Sequence, residues 1–353
     1  MSRARDFADL AGSAQGGGIT GANALINGQF AVAQRATSFV AGANNDTNYT
    51  LDRWKLFSDG NDVVDVTQET STVPTNRQTA IALDVETANK KFGIAQIIEQ
   101  KNCVNFIGKT VTLSFQAKVS ATTNLDNIKA AIIAWDGTAD TVTADMISAW
   151  GVEGTNPTLA TNFTYENTPA NLNLTTSYAT YSVTASVDTA SAKNIIVFIF
   201  SDVTTTSAGE FLYITDVKLE AGQAATPFEH EDIGTTLRKC QRYYYRIQEG
   251  GAYQRFGTHQ CVSSGNGYAI VHLPVSMRQK PSLHTTGTAS NYAVYENNGI
   301  NTCSSLIAIN SNGSSTDVIN IVANSTGNLA GGNAASLLAN NSTTTFLGFK
   351  AEL

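Results

Sequence analysis

Charge is scarce in this chain. Asp, Glu, Lys and Arg make up 14% of its 353 residues, against roughly 25% in ordinary soluble domains. The balance leans acidic, with 22 Lys and Arg facing 29 Asp and Glu and a pI near 5.1. Nucleic-acid binding needs a basic face, because phosphate contacts dominate affinity, so no nucleic-acid partner is expected. Long apolar runs are missing too. Ile195 to Phe200 is as long as any, a strand's length, whereas a membrane-spanning helix needs roughly 18 apolar residues or more. No membrane insertion is expected.

Cysteine is sparse and scattered. Cys103, Cys240, Cys261 and Cys303 form no CxxC pair, which leaves a zinc site without its usual spacing. Cys240 and Cys261 are the nearest candidates for a bridge, and a reducing compartment would disfavour even that. Signatures of catalysis are absent as well. His230, His259, His272 and His284 have no Cys, Asp or Glu partner at ligand or triad spacing. There is no nucleophile elbow, phosphate loop or dinucleotide fingerprint, and no period of about 20–50 residues that would mark a solenoid. The chain reads as a non-enzyme.

Asn, Thr, Ser, Gly and Ala fill the space that charge leaves. A polar, weakly charged surface of this kind suits β-rich extracellular, virion or sugar-binding proteins. Met1 to Asn23 stands apart. Phe7, Leu10 and Ala11 fall at i, i+3 and i+4, so Ser2 to Ala14 reads as a short amphipathic helix, and Gly16 to Gly18 break it off. Arg3 and Arg5 precede no apolar core, so this is not a signal peptide. A helix this short is marginal alone; it is either a frayed end or an attachment segment in which Phe7 and Leu10 meet a partner.

Ala24 to Phe228 reads as one all-β domain. Lys109 to Val119 alternates apolar and polar without a break. Ile128 to Trp135, Tyr181 to Val187 and Asn194 to Phe200 supply further strands, and Phe211 to Leu219 closes the domain. Pro227 stops that last strand, because proline cannot donate to a ladder. An acidic linker, Glu229 to Thr236, leads to a second, smaller β domain, Leu237 to Leu353. There Tyr268 to Met277 and Asp317 to Ala323 alternate like strands, while Ser311 to Asn341, rich in Asn, Ser and Gly, suits surface loops.

Candidate recognition residues follow from chemistry. Sugar binding needs exposed aromatic faces, and Trp135 and Trp150, with Phe163 and Tyr165 nearby, are the candidates in the first domain. Plain packing is the competing reading for each, and for Trp54 the favoured one. In the second domain Tyr292 and Tyr295 would anchor contacts made by loops within Ser263–Asn266, Ala289–Asn301 and Asn310–Asn341. Tyr243 and Tyr245 fall on one face of their strand and Tyr244 on the other, one side for the core and the other for a subunit interface.

Several stretches together resemble a known class. Leu25-Ile26-Asn27-Gly28-Gln29-Phe30, Leu51-Asp52-Arg53-Trp54, the strand ending at Asp216 to Gly222, the turn at Ala225 to Glu229, and Cys240 to Arg246 resemble the module join of bacteriophage tail-fibre proteins. So do Leu273 to Arg278 with Pro281, and the closing Phe349 to Leu353. The first and last motifs of the larger domain also resemble those of carbohydrate-binding-module jelly rolls. The resemblance implies a jelly-roll β-sandwich followed by a second β-sandwich, assembled in the host cytoplasm into a virion. It implies a homotrimer, docked on other virion proteins through its N-terminus and touching host-surface glycan. It also implies a calcium ion near Asp216, although Ala31 stands where an early acidic ligand is expected. Two alternatives stay open: a structural or capsid-associated adaptor without receptor contact, and a carbohydrate-binding module of a secreted hydrolase.

Overall fold

A computed structural model describes residues 22–40, 48–125, 127–142, 145–248, 250–297, 299–327 and 329–353. Phe7 and Leu10, with the expected N-terminal helix, lie outside the described residues. The chain divides into two compact units that meet in sequence at Ile233 and Gly234.

Unit 1 contains, in chain order, β1 (Ser38–Phe39), β2 (Lys55–Ser58), β3 (Val64–Glu69), β4 (Ala80–Val85), β5 (Phe92–Ile98), the one-turn α1 (Gln100–Cys103), β6 (Thr110–Val119) and β7 (Ile128–Trp135). Then come β8 (Ile147–Ala149), β9 (Thr158–Leu159), β10 (Phe163–Tyr165), β11 (Ala179–Ser186), β12 (Asn194–Ser201) and β13 (Phe211–Ala221). They make two antiparallel sheets, a six-stranded one ordered β1-β3-β4-β13-β6-β11 and a five-stranded one ordered β10-β7-β12-β5-β2. Leu113, Phe115, Ile132, Val197, Ile199 and Leu219 lie between them in one buried core. This is the jelly-roll sandwich.

The alternation of β6 follows from this arrangement, because only one of its faces meets the opposite sheet. β12 differs. All eight of its residues are buried, and Ile196, Phe198 and Phe200 face a second core on the outer side of the five-stranded sheet. Each such side chain contributes about 1.5–3 kcal/mol by leaving water.

Three of the resembling motifs meet in space. The Trp54 indole donates to Asn27 O at 3.0 Å, and the Asn27 side chain donates to Val32 O and Asp52 O. Phe30, with φ of 58°, packs on Trp54 with ring centroids 5.0 Å apart. Val217 N donates to Gly28 O at 2.9 Å. The motifs thus form a latch that ties the start of the unit to its last strand.

Unit 2 opens on α2 (Ile233–Gln241), which lies across the stretch expected to be an acidic linker. Thr236 and Cys240 are its buried positions, one turn apart, and Arg238 and Lys239 in the last turn complement the helix dipole. The strands are β14 (Tyr244–Ile247), β15 (Arg255–Cys261), β16 (Gly267–His272), β17 (Ser282–Thr285), β18 (Tyr292–Glu296), β19 (Gly299–Thr302), β20 (Ala308–Ile309), β21 (Val318–Val322), β22 (Ala334–Ala339) and β23 (Leu347–Lys350). A seven-stranded sheet, β19-β18-β22-β15-β16-β21-β20, and a three-stranded sheet, β14-β23-β17, make this second β unit. Phe256, Val271, Ile319, Leu337 and Phe349 fill its core.

Within the stretch from Ser311 to Asn341, the strand expected over Asp317 to Ala323 is present as β21, and a further strand, β22, stands where loop was expected; Ile319, Ile321, Leu337 and Leu338 are buried. The consecutive tyrosines do not divide into one buried and one open side. Tyr243 and Tyr244 are buried, and Tyr245 stacks on Phe349 within the same unit. All four cysteines, Cys240 and Cys261 included, are buried thiols outside any disulfide.

Candidate recognition surfaces

The outer face of the five-stranded sheet is closed. Residues 136–142 and 145–165, which carry β8, β9 and β10, fold back over β7, β12 and β5 and bury Met146, Ile147, Trp150 and Phe163 against Ile133, Phe198 and Phe200. Trp135 is 3% exposed and Trp150 8%. Trp135 packs on Phe163 at 4.6 Å and donates its indole N–H to Thr138 O. Trp150 lies 6.1 Å from Phe198, which stacks on Phe200. Neither tryptophan presents a ring face to solvent, so the expectation that they stack on sugar is corrected. Tyr165 turns its hydroxyl to Pro157 O.

Polar anchors hold this cover down. Lys91, fully buried, donates Nζ to Trp150 O at 3.1 Å and Gly151 O at 2.7 Å. Burial pulls its ammonium below the usual lysine range, against opposing pulls from Asp202, Asp59 and Glu153. Glu153 accepts from the backbone N–H and hydroxyl of Thr204, which lowers its carboxyl below its ordinary value.

Asp216 sits at a bulge of β13, where the register with β6 shifts between Thr215 and Lys218, and it takes φ of 53°. Its carboxylate accepts from Arg77 Nε at 2.6 Å, Gln116 Nε2 at 2.7 Å and Gln29 Nε2 at 3.1 Å. Three donors, one of them a guanidinium, do not suit calcium, which needs about six to eight oxygen ligands. Among the described residues, no group of three or more His, Cys, Asp or Glu gathers to hold a metal ion.

In unit 2 Tyr292 is buried, and its hydroxyl donates to Phe346 O at 2.6 Å. It is a core residue and not the surface anchor expected. Tyr295 is half-buried on β18, with the Arg255 guanidinium 5.0 Å from its ring centre. The expected contact loops divide between the two ends of the seven-stranded sheet. Ser263–Asn266 meets the stretch from Asn324 to Asn333, where Ser325 N donates to Gly265 O and Leu329 N to Ser264 O. Glu296 ties the same end together by accepting from Ala330 N and the Asn333 side chain. Ala289–Asn291 and Ser311–Gly313 lie at the other end, beside Asn340 and the start of β21.

Between those ends one face of this sheet stays open, and sequence reading missed it. β16 alternates buried and exposed, with Tyr268 and Ile270 each 38% exposed. Ile270 pairs with Thr258, Thr258 with Ser336 and Ser336 with Tyr295, which pairs with the exposed Ile300. These five residues form one row across five strands. The signal lay in Gly267 to His272, where apolar residues occupy both faces of the strand.

No protein-family model matches the chain, and no curated protein matches it by sequence. Solved structures do. The xylan-binding domain CBM22-1 of Paenibacillus barcinonensis Xyn10C is 13% identical, with a TM-score of 0.32, 59% of this chain and 99% of that one being covered. TmCBM61, solved with β-1,4-galactotriose, is 13% identical with a TM-score of 0.30, over 57% of this chain and 99% of that one. The enzymatically active domain of bacteriophage CBA120 tailspike protein 4 is 17% identical with a TM-score of 0.33, over 56% of this chain. The match spans 21% of the tailspike chain.

Proposed function

We propose that the chain is a bacteriophage tail-fibre protein, or a similar virion appendage, that binds host-surface glycan through unit 2. The attachment role and a homotrimeric state rest on the motif resemblance from Leu25 to the C-terminus. The glycan role rests on one observation: the open face of the seven-stranded sheet. Tyr268, Ile270 and Ile300 offer apolar and ring surface there, Thr258 and Gln260 a hydroxyl and an amide, and Arg255, over the Tyr295 ring and hydrogen-bonded to Ser336 Oγ, a cation. Pyranose rings present C–H faces to aromatics and hydroxyls to polar groups, so such a mixture suits them. Ile270 and Tyr295, in one row, stand three strands apart, about 14 Å at ordinary strand spacing, the reach of a short oligosaccharide. In unit 1 the outer face of the five-stranded sheet is covered and offers no such surface.

Host-cell adsorption and a glycan array test this reading. Tyr268→Ala should weaken binding at least tenfold, roughly the scale of one aromatic anchor, while the fold is retained. Unchanged adsorption by Tyr268→Ala and Ile270→Ser together would move recognition elsewhere.

A further inference from the structure

Where the cover meets the five-stranded sheet, a lysine, an asparagine and an aspartate come together in an arrangement that serves no binding role described above. Lys129 on β7 projects to the covered face, and its side chain is 5% exposed. Asp202, directly after β12, projects to the same face and is fully buried. The two strands pair with Lys129 opposite Phe200, which sets Asp202 beside the lysine. Lys129 Nζ stands 2.6 Å from Asp202 Oδ2 and donates to Asn156 Oδ1 at 3.1 Å. The ion pair is close in distance but not aligned as a hydrogen bond, and Asp202 Oδ1 is buried with no hydrogen-bond partner among the described residues.

We propose that Lys129 and Asn156 form an intramolecular isopeptide bond, with Asp202 as the proton carrier. Proton transfer between the two buried side chains has only the 2.6 Å from Lys129 Nζ to Asp202 Oδ2 to cross. Asp202 takes one proton from the Lys129 ammonium, and the freed amine attacks Asn156 Cγ. The Nζ–Cγ bond forms. Asp202 then returns its proton to the amide nitrogen, the Cγ–Nδ2 bond breaks, and the attacking nitrogen gives up a second proton to the departing group. The products are a secondary amide and ammonium, and the aspartate is regenerated. No oxidant or cofactor takes part. The hydrogen bond to Oδ1 already brings the amine to the amide group, so only a small rotation separates contact from attack.

The sequence removes a competing reaction at this position. Asparagine ordinarily loses ammonia when the next backbone N–H attacks its side chain. Asn156 is followed by Pro157, which has no N–H to attack with. Release of ammonia from Asn156 therefore needs an outside nucleophile, water or an amine, and Lys129 is the amine hydrogen-bonded to it. The cover would then be fastened covalently to β7 in a protein whose four cysteines form no disulfide.

Intact mass and peptide mapping of the purified full-length protein, denatured before measurement, decide the matter. The expected mass is lower by one ammonia than the sequence requires, and digestion should give one branched peptide joining Lys129 to Asn156. Asn156→Ala and Asp202→Asn should each restore the full calculated mass. If Asp202→Asn does not fold, Asn156→Ala, altered on a half-exposed loop, still supplies the comparison. A full-mass wild-type protein with trypsin cleavage after Lys129 overturns the proposal. So does ammonia loss that maps instead to Asn266-Gly267 or Asn312-Gly313, a link from Lys91, or a water loss joining Lys129 to Asp202.

Discussion

Arg77 Nε donates to Asp216 Oδ2 at 2.6 Å, and the Asp216 side chain is only 2% exposed. A buried carboxylate at a bulge is thus neutralised by a side chain of the same domain. Truncating one partner of such a pair leaves a charge without compensation, so Arg77→Ala should cost about 3 kcal/mol in urea unfolding. The double variant Arg77→Ala with Asp216→Asn should recover much of that loss, because no charge is then stranded. A chelator should leave the wild-type melting temperature where it was. A drop on chelation would show that a cation, and not Arg77, holds Asp216.

Gly28 is required by proximity. A Cβ there would stand 2.1 Å from Val217 O, inside the latch between the first motif and the last strand. Gly28→Ala should destabilise unit 1 by about 1–3 kcal/mol through overpacking, seen as a lower denaturant midpoint with an unchanged slope. A wild-type midpoint would mean that the latch can open without cost.

Asp84 gives the fold a pH dependence. It lies directly opposite Asp65 on paired strands, and burial first, then Glu86 and Asp65, raises its pKa from 3.8 to about 6. The fold therefore favours the protonated form. Its contribution is complete below 3.8 and lost as the pH rises through about 6. Asp84→Asn should raise the melting temperature by about 1–3 °C at about pH 8 and leave it unchanged near pH 4. An equal gain at both pH values would remove the like-charge explanation.

For the open face of unit 2, substitutions should separate binding from folding. Tyr268 and Ile270 are each 38% exposed, so Tyr268→Ala and Ile270→Ser should each shift stability by less than about 1 kcal/mol while reducing adsorption. Trp135→Ala should do the reverse. It removes a buried ring and costs about 3–5 kcal/mol, and adsorption should survive wherever the protein remains folded. Calorimetry beside adsorption distinguishes the two patterns.

What could be read from the sequence was what neighbouring residues decide. The alternation of β6 and the all-apolar β12 follow from periodicity, and Ile128 to Trp135 emerges as a strand at those bounds. Burial that depends on distant chain could not be read in the same way. Trp135 and Trp150 carry the chemistry of a sugar platform, and only the return of residues 136–142 and 145–165 makes them core. Tyr292 looked like an anchor until Phe346 O supplied a partner for its hydroxyl. The helix from Ile233 to Gln241 was hidden by its acidic, glycine-containing approach, although Thr236 and Cys240 already stood one turn apart. Asp216 was picked out by its motif, whereas Arg77, Gln29 and Gln116 come from three separate stretches.

The burial of β12 on both faces, with β5 and β7 hydrogen-bonded along its two edges, makes that strand a clock for the whole unit. Its amide protons have no local route to solvent, because fraying an edge strand or lifting a loop leaves at least one neighbour and one covered face in place. Deuterium should enter Ile195 to Phe200 only when unit 1 unfolds globally, so their exchange rate reads the unit's full unfolding free energy. β1, a two-residue strand at a sheet edge, should exchange orders of magnitude sooner.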